Sequence, residues 1–292
     1  MEPVAEKVCT ILACTNVQDF LEAISPSAET FKEFGPNSWY FRGHADDSFQ
    51  LVPSALRQES KLLRDFVSGG FRTNEEQIFG EMHALRLFFD EADRIGLHLP
   101  EDSQVVRRIF EKHYAHQLPS NWPPRHLLSL MAIAQHHGFP TRLLDWSRNV
   151  LKASYFAASG AAKGGSRGSK KLAVWALSIW PFMMKADTPL KIVTAPGFTN
   201  RNLLAQEGIF TRTRSIKPNQ TFVDRRPLDK ILESEIKEFT PIGTSLYRIT
   251  LPSKLAPELL YELARRGVSH STLFPDFYGV VQALREKNLW PE

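Results

Sequence analysis

Cysteine is scarce in this 292-residue chain: Cys9 and Cys14 stand in one short segment, with no CxxC and no Cys/His spacing suited to zinc. That usage fits a reducing, cytoplasmic setting and argues against a structural metal. No apolar run approaches a membrane span, and the apolar patch after Glu2 and Glu6 is about seven residues, short for a signal-peptide core. Basic runs are missing too. The chain has 36 Lys and Arg against 32 Asp and Glu, a formal charge of +4 and a pI of 9.0, without five basic residues in succession. Nucleic acid or another polyanion is therefore permitted but not demanded. What remains, 42% hydrophobic and 23% charged residues, is the composition of an enzyme-sized globular protein with a sizeable core.

Val8 to Ala13 has the composition of a short strand, and Asn16 or Thr15 is placed to cap a helix through Asp19, Phe20, Leu21 and Ile24. Residues 38–44, SWYFRGH, read as a strand ending at the breaker Gly43, with Tyr40 and Arg42 on one face and Trp39 and Phe41 on the other. Arg42 is then either an exposed strand-end charge or a bidentate clamp for phosphate or carboxylate. Ile78, Met82, Leu85, Phe89 and Ala92 recur at three and four and predict an amphipathic helix over 75–97, with a second over 102–118. His83, His98, His113, His116 and His126 scatter without metal-ligand spacing.

The stretch from Leu127 to Ala158 reads as an apolar helix, a polar corner and a second apolar helix. Gly138 is placed to end the first helix in a left-handed conformation, Pro140 prevents its continuation, and Asp145 or Ser147 is placed to cap the second. The corner gathers Gln135, His136, His137, Thr141, Arg142, Asp145, Trp146 and Ser147, and at most one of the two adjacent histidines can face it. Two readings stand. In one, Arg142 and Asp145 form an ion pair under Trp146 and brace the fold. In the other, Arg142 faces an anion while Gln135 or His137 orients it.

Beyond it, Ala162 to Lys170 is a basic loop, either a nucleic-acid contact or simply solvated, and Lys171 to Ile179 alternates as a strand. Gln206 and Glu207 immediately precede Gly208 and a strand, where a carboxylate either lines a cleft or caps a solvated turn. Leu246–Leu251 reads as a strand, and Ser253–Arg266 and Phe277–Lys287 as helices. Helices dominate the first half and strands the second, an α+β succession.

The succession Trp39-Tyr-Phe-Arg-Gly43, Leu51-Val-Pro-Ser54, Ala134-Gln-His-His-Gly-Phe-Pro-Thr-Arg-Leu-Leu-Asp-Trp146, Ala205-Gln206 with Gly208 and Phe210, and Leu273-Phe-Pro-Asp276 resembles the FRG domain family, named for its Phe-Arg-Gly motif. The likeness implies a strand and helix at 1–37 packed on an FRG domain at 38–285, with a helical insertion at about 75–160 and a tail at 286–292. FRG domains occur in bacteria and phages, in some cases where the context suggests conflict or stress functions.

The aromatic-Arg-Gly strand end is further similar to the first motif of arginine-type ADP-ribosyltransferases, in which the arginine holds the pyrophosphate and ribose of NAD. Their late Q-x-E or E-x-E motif corresponds here to Q-E-G at Gln206 and Glu207, and their Ser-Thr-Ser has no counterpart, leaving Thr141 or Ser147 in its place. This likeness implies an α+β fold with a bent mixed sheet flanked by a helical subdomain, an ADP-ribosyltransferase-like core. Arg42 and Glu207 would be the catalytic pair, and Gln206 would orient the acceptor or ribose. Tyr40, Phe41, Gly43, Gln135, His137, Thr141, Arg142, Asp145 and Trp146 would surround NAD, with Asp145 the rival carboxylate. NAD would be the substrate, no metal is expected, the acceptor would be a protein, a nucleic acid, a small molecule or water, and no membrane is involved. Two other classes remain open: a nucleotide or nucleic-acid sensor using Arg42, His137 and Arg142, and a metal-free hydrolase using His137 and Asp145.

Overall fold

The computed structural model describes residues 8–32, 38–57, 63–69, 71–114, 117–164, 170–183, 188, 190–194, 201–213, 222–235 and 245–290. Among them seven strands form one mixed, open sheet: β1 (Cys9–Ala13), β2 (Trp39–His44), β3 (Leu144–Ser147), β4 (Lys171–Ser178), β5 (Leu190–Val193), β6 (Gly208–Thr213) and β7 (Leu246–Pro252). Their order is β1-β7-β4-β2-β3-β6-β5, with β1 parallel to β7 and every other pair antiparallel. The first-half helices are α1 (Val17–Ala23), α2 (Glu29–Lys32), α3 (Asn74–Arg94), α4 (Gln104–Tyr114), α5 (Leu128–His136) and α6 (Val150–Ala162). The second half adds α7 (Trp180–Met183), α8 (Arg201–Ala205), α9 (Leu228–Glu235), α10 (Ala256–Arg265), α11 (His270–Leu273) and α12 (Phe277–Glu286). The fold is α+β, as the sequence predicts.

Local chemistry sets several boundaries where expected. Asn16 caps α1 by accepting from the Asp19 amide at 2.9 Å. Thr73 and Glu76 close a reciprocal capping box on α3. Gly138 takes φ +80° behind α5. β4, an interior strand between β7 and β2, is buried at every position but Lys171, so it needs apolar residues on both faces. Its alternation divides the core: Val174 and Ala176 join Trp39, Phe41 and the apolar faces of α6 and α10, while Trp175 and Leu177 join Tyr40 and Trp146 on the opposite face. A third cluster fills the space among α3, α4 and α5.

Three expectations need correction. The corner between α5 and α6 is a strand: Leu144–Ser147 enters the sheet between β2 and β6, so the stretch 75–160 is not wholly a helical insertion. Consequently neither Asp145 nor Ser147 caps α6; Asn149 does, accepting from the Leu151 and Lys152 amides. Gly43 does not end β2 but lies inside it, because α6 crosses directly above: a Cβ there would come within 2.0 Å of the Ala153 carbonyl oxygen. The absence of a side chain lets helix and strand meet backbone to backbone.

Arg142 also departs from expectation. Residues 142 and 145 span a bend and a strand rather than a helical turn, so Arg142 finds no partner in Asp145. It reaches instead to Glu81 on α3, with Nε and Nη2 donating to the two carboxylate oxygens at 2.7 and 2.6 Å. Gln77 and the Trp122 indole donate to the same carboxylate at 2.8 and 2.7 Å, and both charged side chains are almost wholly buried. Each carboxylate oxygen thus accepts two hydrogen bonds. This node ties α3 to the entry of β3.

Two stability outcomes follow from these contacts. Arg142→Met should cost about 3–5 kcal/mol in urea denaturation because Glu81 is left charged and buried, and Arg142→Met with Glu81→Leu should recover the larger part. Gly43→Ala should cost about 3 kcal/mol or more, the upper end of overpacking, since its clash is with backbone rather than with a yielding side chain.

Candidate functional site

β2 and β3 are held in register by the Phe41–Ser147 pair, which brings Arg42 beside Asp145 at the mouth of a 340 Å³ pocket. Gln135 and His136 come to it from the end of α5, Gln206 from the turn before β6, and Phe156 from α6. Phe274 completes the aromatic lining from the segment after α11, edge-on to Phe156 with ring centroids 6.3 Å apart.

Arg42 is held from three directions. Its Nη1 lies 2.6 Å from Asp145 Oδ1 and 2.7 Å from the Asp145 carbonyl oxygen, and its Nε donates to His44 Nε2 at 3.0 Å. Accepting that bond places the His44 proton on Nδ1, which donates to the Phe49 carbonyl at 3.1 Å; the 3.3 Å approach of the Trp175 indole is then a contact rather than a hydrogen bond. Burial and the Arg42 charge push the His44 pKa down to about 3, so the ring is neutral and leaves the Arg42 charge uncontested.

The carboxylate is oriented as closely. Thr141 Oγ1 and Ser54 Oγ donate to Gln135 Oε1 at 2.8 and 3.3 Å, which turns the amide so that Nε2 donates to Asp145 Oδ1 at 3.3 Å. Partial removal from water inside the cleft opposes the Asp145 charge, but the Arg42 charge and the hydrogen bonds from Arg42 and Gln135 prevail and hold its pKa at about 2. With its side chain 55% exposed against 13% for Arg42, the carboxylate is the accessible member of the pair. A fixed anion, amide donors and aromatic faces in one pocket suit a polar, ring-bearing ligand.

The remaining predicted residues are distributed differently. Arg42, Phe41, Gly43, Gln135, Asp145, Trp146 and Gln206 share the pocket. Thr141 acts through Gln135, while Arg142 is committed to Glu81 and lines no part of the pocket. Tyr40 lies in the core and lines no part of the pocket, whereas Trp146 lines it although the residue is only 3% exposed and its indole donates to Thr211 at 2.8 Å. His136, not His137, faces the pocket; one residue is about 100° on a helix, and His137 is exposed. Burial and the neighbouring His137 lower the His136 pKa to about 4.

Glu207 is absent from the pocket lining. It takes φ +49° and is held at the first turn of α6 by Lys152 at 2.8 Å and Asn149 at 3.3 Å, with its carbonyl accepting from the Arg148 amide. Phe156, Phe274 and His44 are among the contributors to which the sequence reading gave no site role. The i+2 spacing of Arg42 and His44 along one strand face was the signal available for His44. Among the described residues no group of three His, Cys, Asp or Glu could hold a metal ion, and no helix is long and apolar enough to cross a membrane.

The family model for the FRG domain matches residues 37–165, a span that contains Arg42, Gln135 and Asp145. An FRG domain is present here. No curated protein and no solved structure matches the chain. The FRG match ends before β4, β6 and β7, so the pocket combines FRG-domain residues with Gln206 and Phe274 from beyond it.

The Arg42 pair has a definite acid signature. A folded pKa depressed from 3.8 to about 2 means the pairing contributes stability above pH 3.8 and loses it as pH falls toward 2. In Arg42→Gln, carbon-detected NMR should find the Asp145 midpoint displaced upward, toward or above the ordinary carboxylate value, and the loss of melting temperature attributable to this pair between pH 4 and 2 should shrink.

Proposed function

We propose that the FRG-domain pocket takes the nicotinamide-ribose end of NAD and that the protein is a cytoplasmic ADP-ribosyltransferase or NAD glycohydrolase of bacterial or phage conflict, built on an ADP-ribosyltransferase-like core. The observation that carries this reading is the Arg42–Asp145 pair, whose half-exposed carboxylate is fixed beside aromatic faces. Asp145 takes the role that the motif comparison gives to Glu207, because Lys152 and Asn149 engage Glu207 outside the pocket.

The chemistry is simple in outline. The C1′–N bond breaks with its electron pair leaving on nicotinamide, and positive charge develops on the ribose ring. The Asp145 anion, kept ionised by Arg42, stabilises that oxocarbenium-like centre while water or an acceptor nucleophile adds at C1′ and releases a proton. In this reading Gln206 orients ribose hydroxyls or the acceptor, and Phe274 stacks on the departing ring. The pocket is at the small end of the range for ligand sites, so the adenylate half would extend beyond it. A second reading, a nucleotide or nucleic-acid sensor, is favoured by one feature: Arg42 already has its carboxylate partner, so the pocket is organised for binding without chemistry. The basic loop that this reading would also enlist lies largely outside the described residues, at 165–169.

Nicotinamide release from NAD, followed by mass spectrometry with the full chain and cell lysate as a source of acceptor, tests both. Asp145→Asn and Arg42→Lys, confirmed as folded, should each reduce release by about 10²- to 10³-fold, while Glu207→Gln leaves it within about threefold. Abolition by Glu207→Gln alone would overturn the assignment of the carboxylate. Binding of NAD without release would favour the sensor, and neither binding nor release would overturn the NAD reading.

A further inference from the structure

Helix α12 is amphipathic in the reverse of the usual sense. At about 100° per residue, Phe277, Val281 and Leu284 fall along one line flanked by Tyr278 and Val280, while Gly279, Ala283 and Glu286 fall on the opposite side. The second set faces the protein: Glu286 is buried and accepts from Tyr155 and Ser159, and a Cβ on Gly279 would come within 1.9 Å of the Phe274 carbonyl oxygen. The apolar line faces out, with Phe277 93%, Tyr278 69%, Leu284 57% and both valines 46% exposed. A helix that buries a carboxylate and leaves its aromatics in water presents a docking face.

The ends of the apolar stripe specify the partner. Asp276 stands at its N-terminal end, accepting from the Gly279 amide, and Arg285 at its C-terminal end; both are exposed, and neither has an ion-pair partner among the described residues. The stripe runs from Phe277 to Leu284, so its midpoint falls between Val280 and Val281. A second copy of the helix laid antiparallel about that midpoint sets Phe277 on Leu284, Val280 on Val281 and Asp276 opposite Arg285, with each contact made twice. Opposed helix dipoles add to the match. The surface of an anionic membrane fits these ends less well, since it would attract Arg285 and repel Asp276.

We infer that α12 is the contact face of a two-fold dimer, covered by the same helix of a second copy of this chain packed antiparallel upon it. The extent of the stripe sets the strength of the contact. Its five apolar side chains present roughly 500 Å² per copy against the ~800 Å² of a standard interface, so the association is weak and concentration-dependent.

Sedimentation equilibrium of the full chain over rising concentration tests this. A monomer–dimer equilibrium with a dissociation constant on the order of 10 µM is expected. Val281→Glu and Leu284→Lys, both at exposed positions, should each leave a monomer with the native far-ultraviolet spectrum and melting temperature. Arg285→Glu, which sets a carboxylate against Asp276, should weaken the dimer by about tenfold, and Asp276→Asn, which keeps the helix cap, by about threefold. The inference is overturned by a chain that stays monomeric well above that concentration, by a dimer that survives in either folded stripe variant, or by one indifferent to Arg285→Glu. Co-sedimentation of a non-associating chain with phosphatidylserine vesicles, lost in Val281→Glu, would overturn it in favour of a lipid surface.

Discussion

The buried Arg142–Glu81 contact governs how the Arg42 pocket is framed. Removing a guanidinium and a carboxylate from water costs several kcal/mol each, and a pair inside a protein offsets that only when every donor and lone pair is matched. Here Gln77 and Trp122 complete the matching. Once Arg142 is anchored to α3, the chain must leave it toward the sheet, and the next residues, Leu143 and Leu144, bury fully on the way. A charge held in the helical cluster thereby determines where a strand begins.

That strand is short, and its brevity is part of how it works. Four residues suffice to place Asp145 against Arg42, the Trp146 indole against Thr211, and Ser147 where its hydroxyl donates to the Gln206 carbonyl at 2.7 Å. Each side chain fastens a different neighbour, so the two pocket walls are positioned by one segment rather than by independent loops. Gln135 belongs to the same system from the other side, since Thr141 and Ser54 consume its carbonyl and leave only its amide donors for Asp145. The pair in the pocket is therefore preorganised, with little freedom left to either side chain.

Features governed by neighbours in sequence were legible from residue type. Asn16 as a cap, Gly138 as a left-handed terminator and the apolar recurrence on α3 each depend on interactions within a turn. The specific block from Ala134 to Trp146 likewise carried the FRG likeness that the family match bears out over 37–165. Less legible were features decided by partners far along the chain. Leu144–Ser147 has no alternation long enough to announce a strand, and only β2 and β6 give it that geometry. Arg142 had a carboxylate three residues away in sequence, but its actual partner is on another helix. His136 and His137 could not be separated without the helix phase, and the role of Gly43 required sight of α6 above it.

The extent of the family match has a practical side. A fragment cut at residues 37 and 165 would keep β2 and β3 but discard β4 and β6, the strands that flank them. Two rows of amide and carbonyl groups would then face solvent over a stripped apolar layer, an invitation to intermolecular strand pairing and precipitation. The segment that defines the domain in sequence is thus smaller than the cooperative unit that can fold, and expression boundaries drawn from homology alone would yield aggregate where the whole sheet yields a protein.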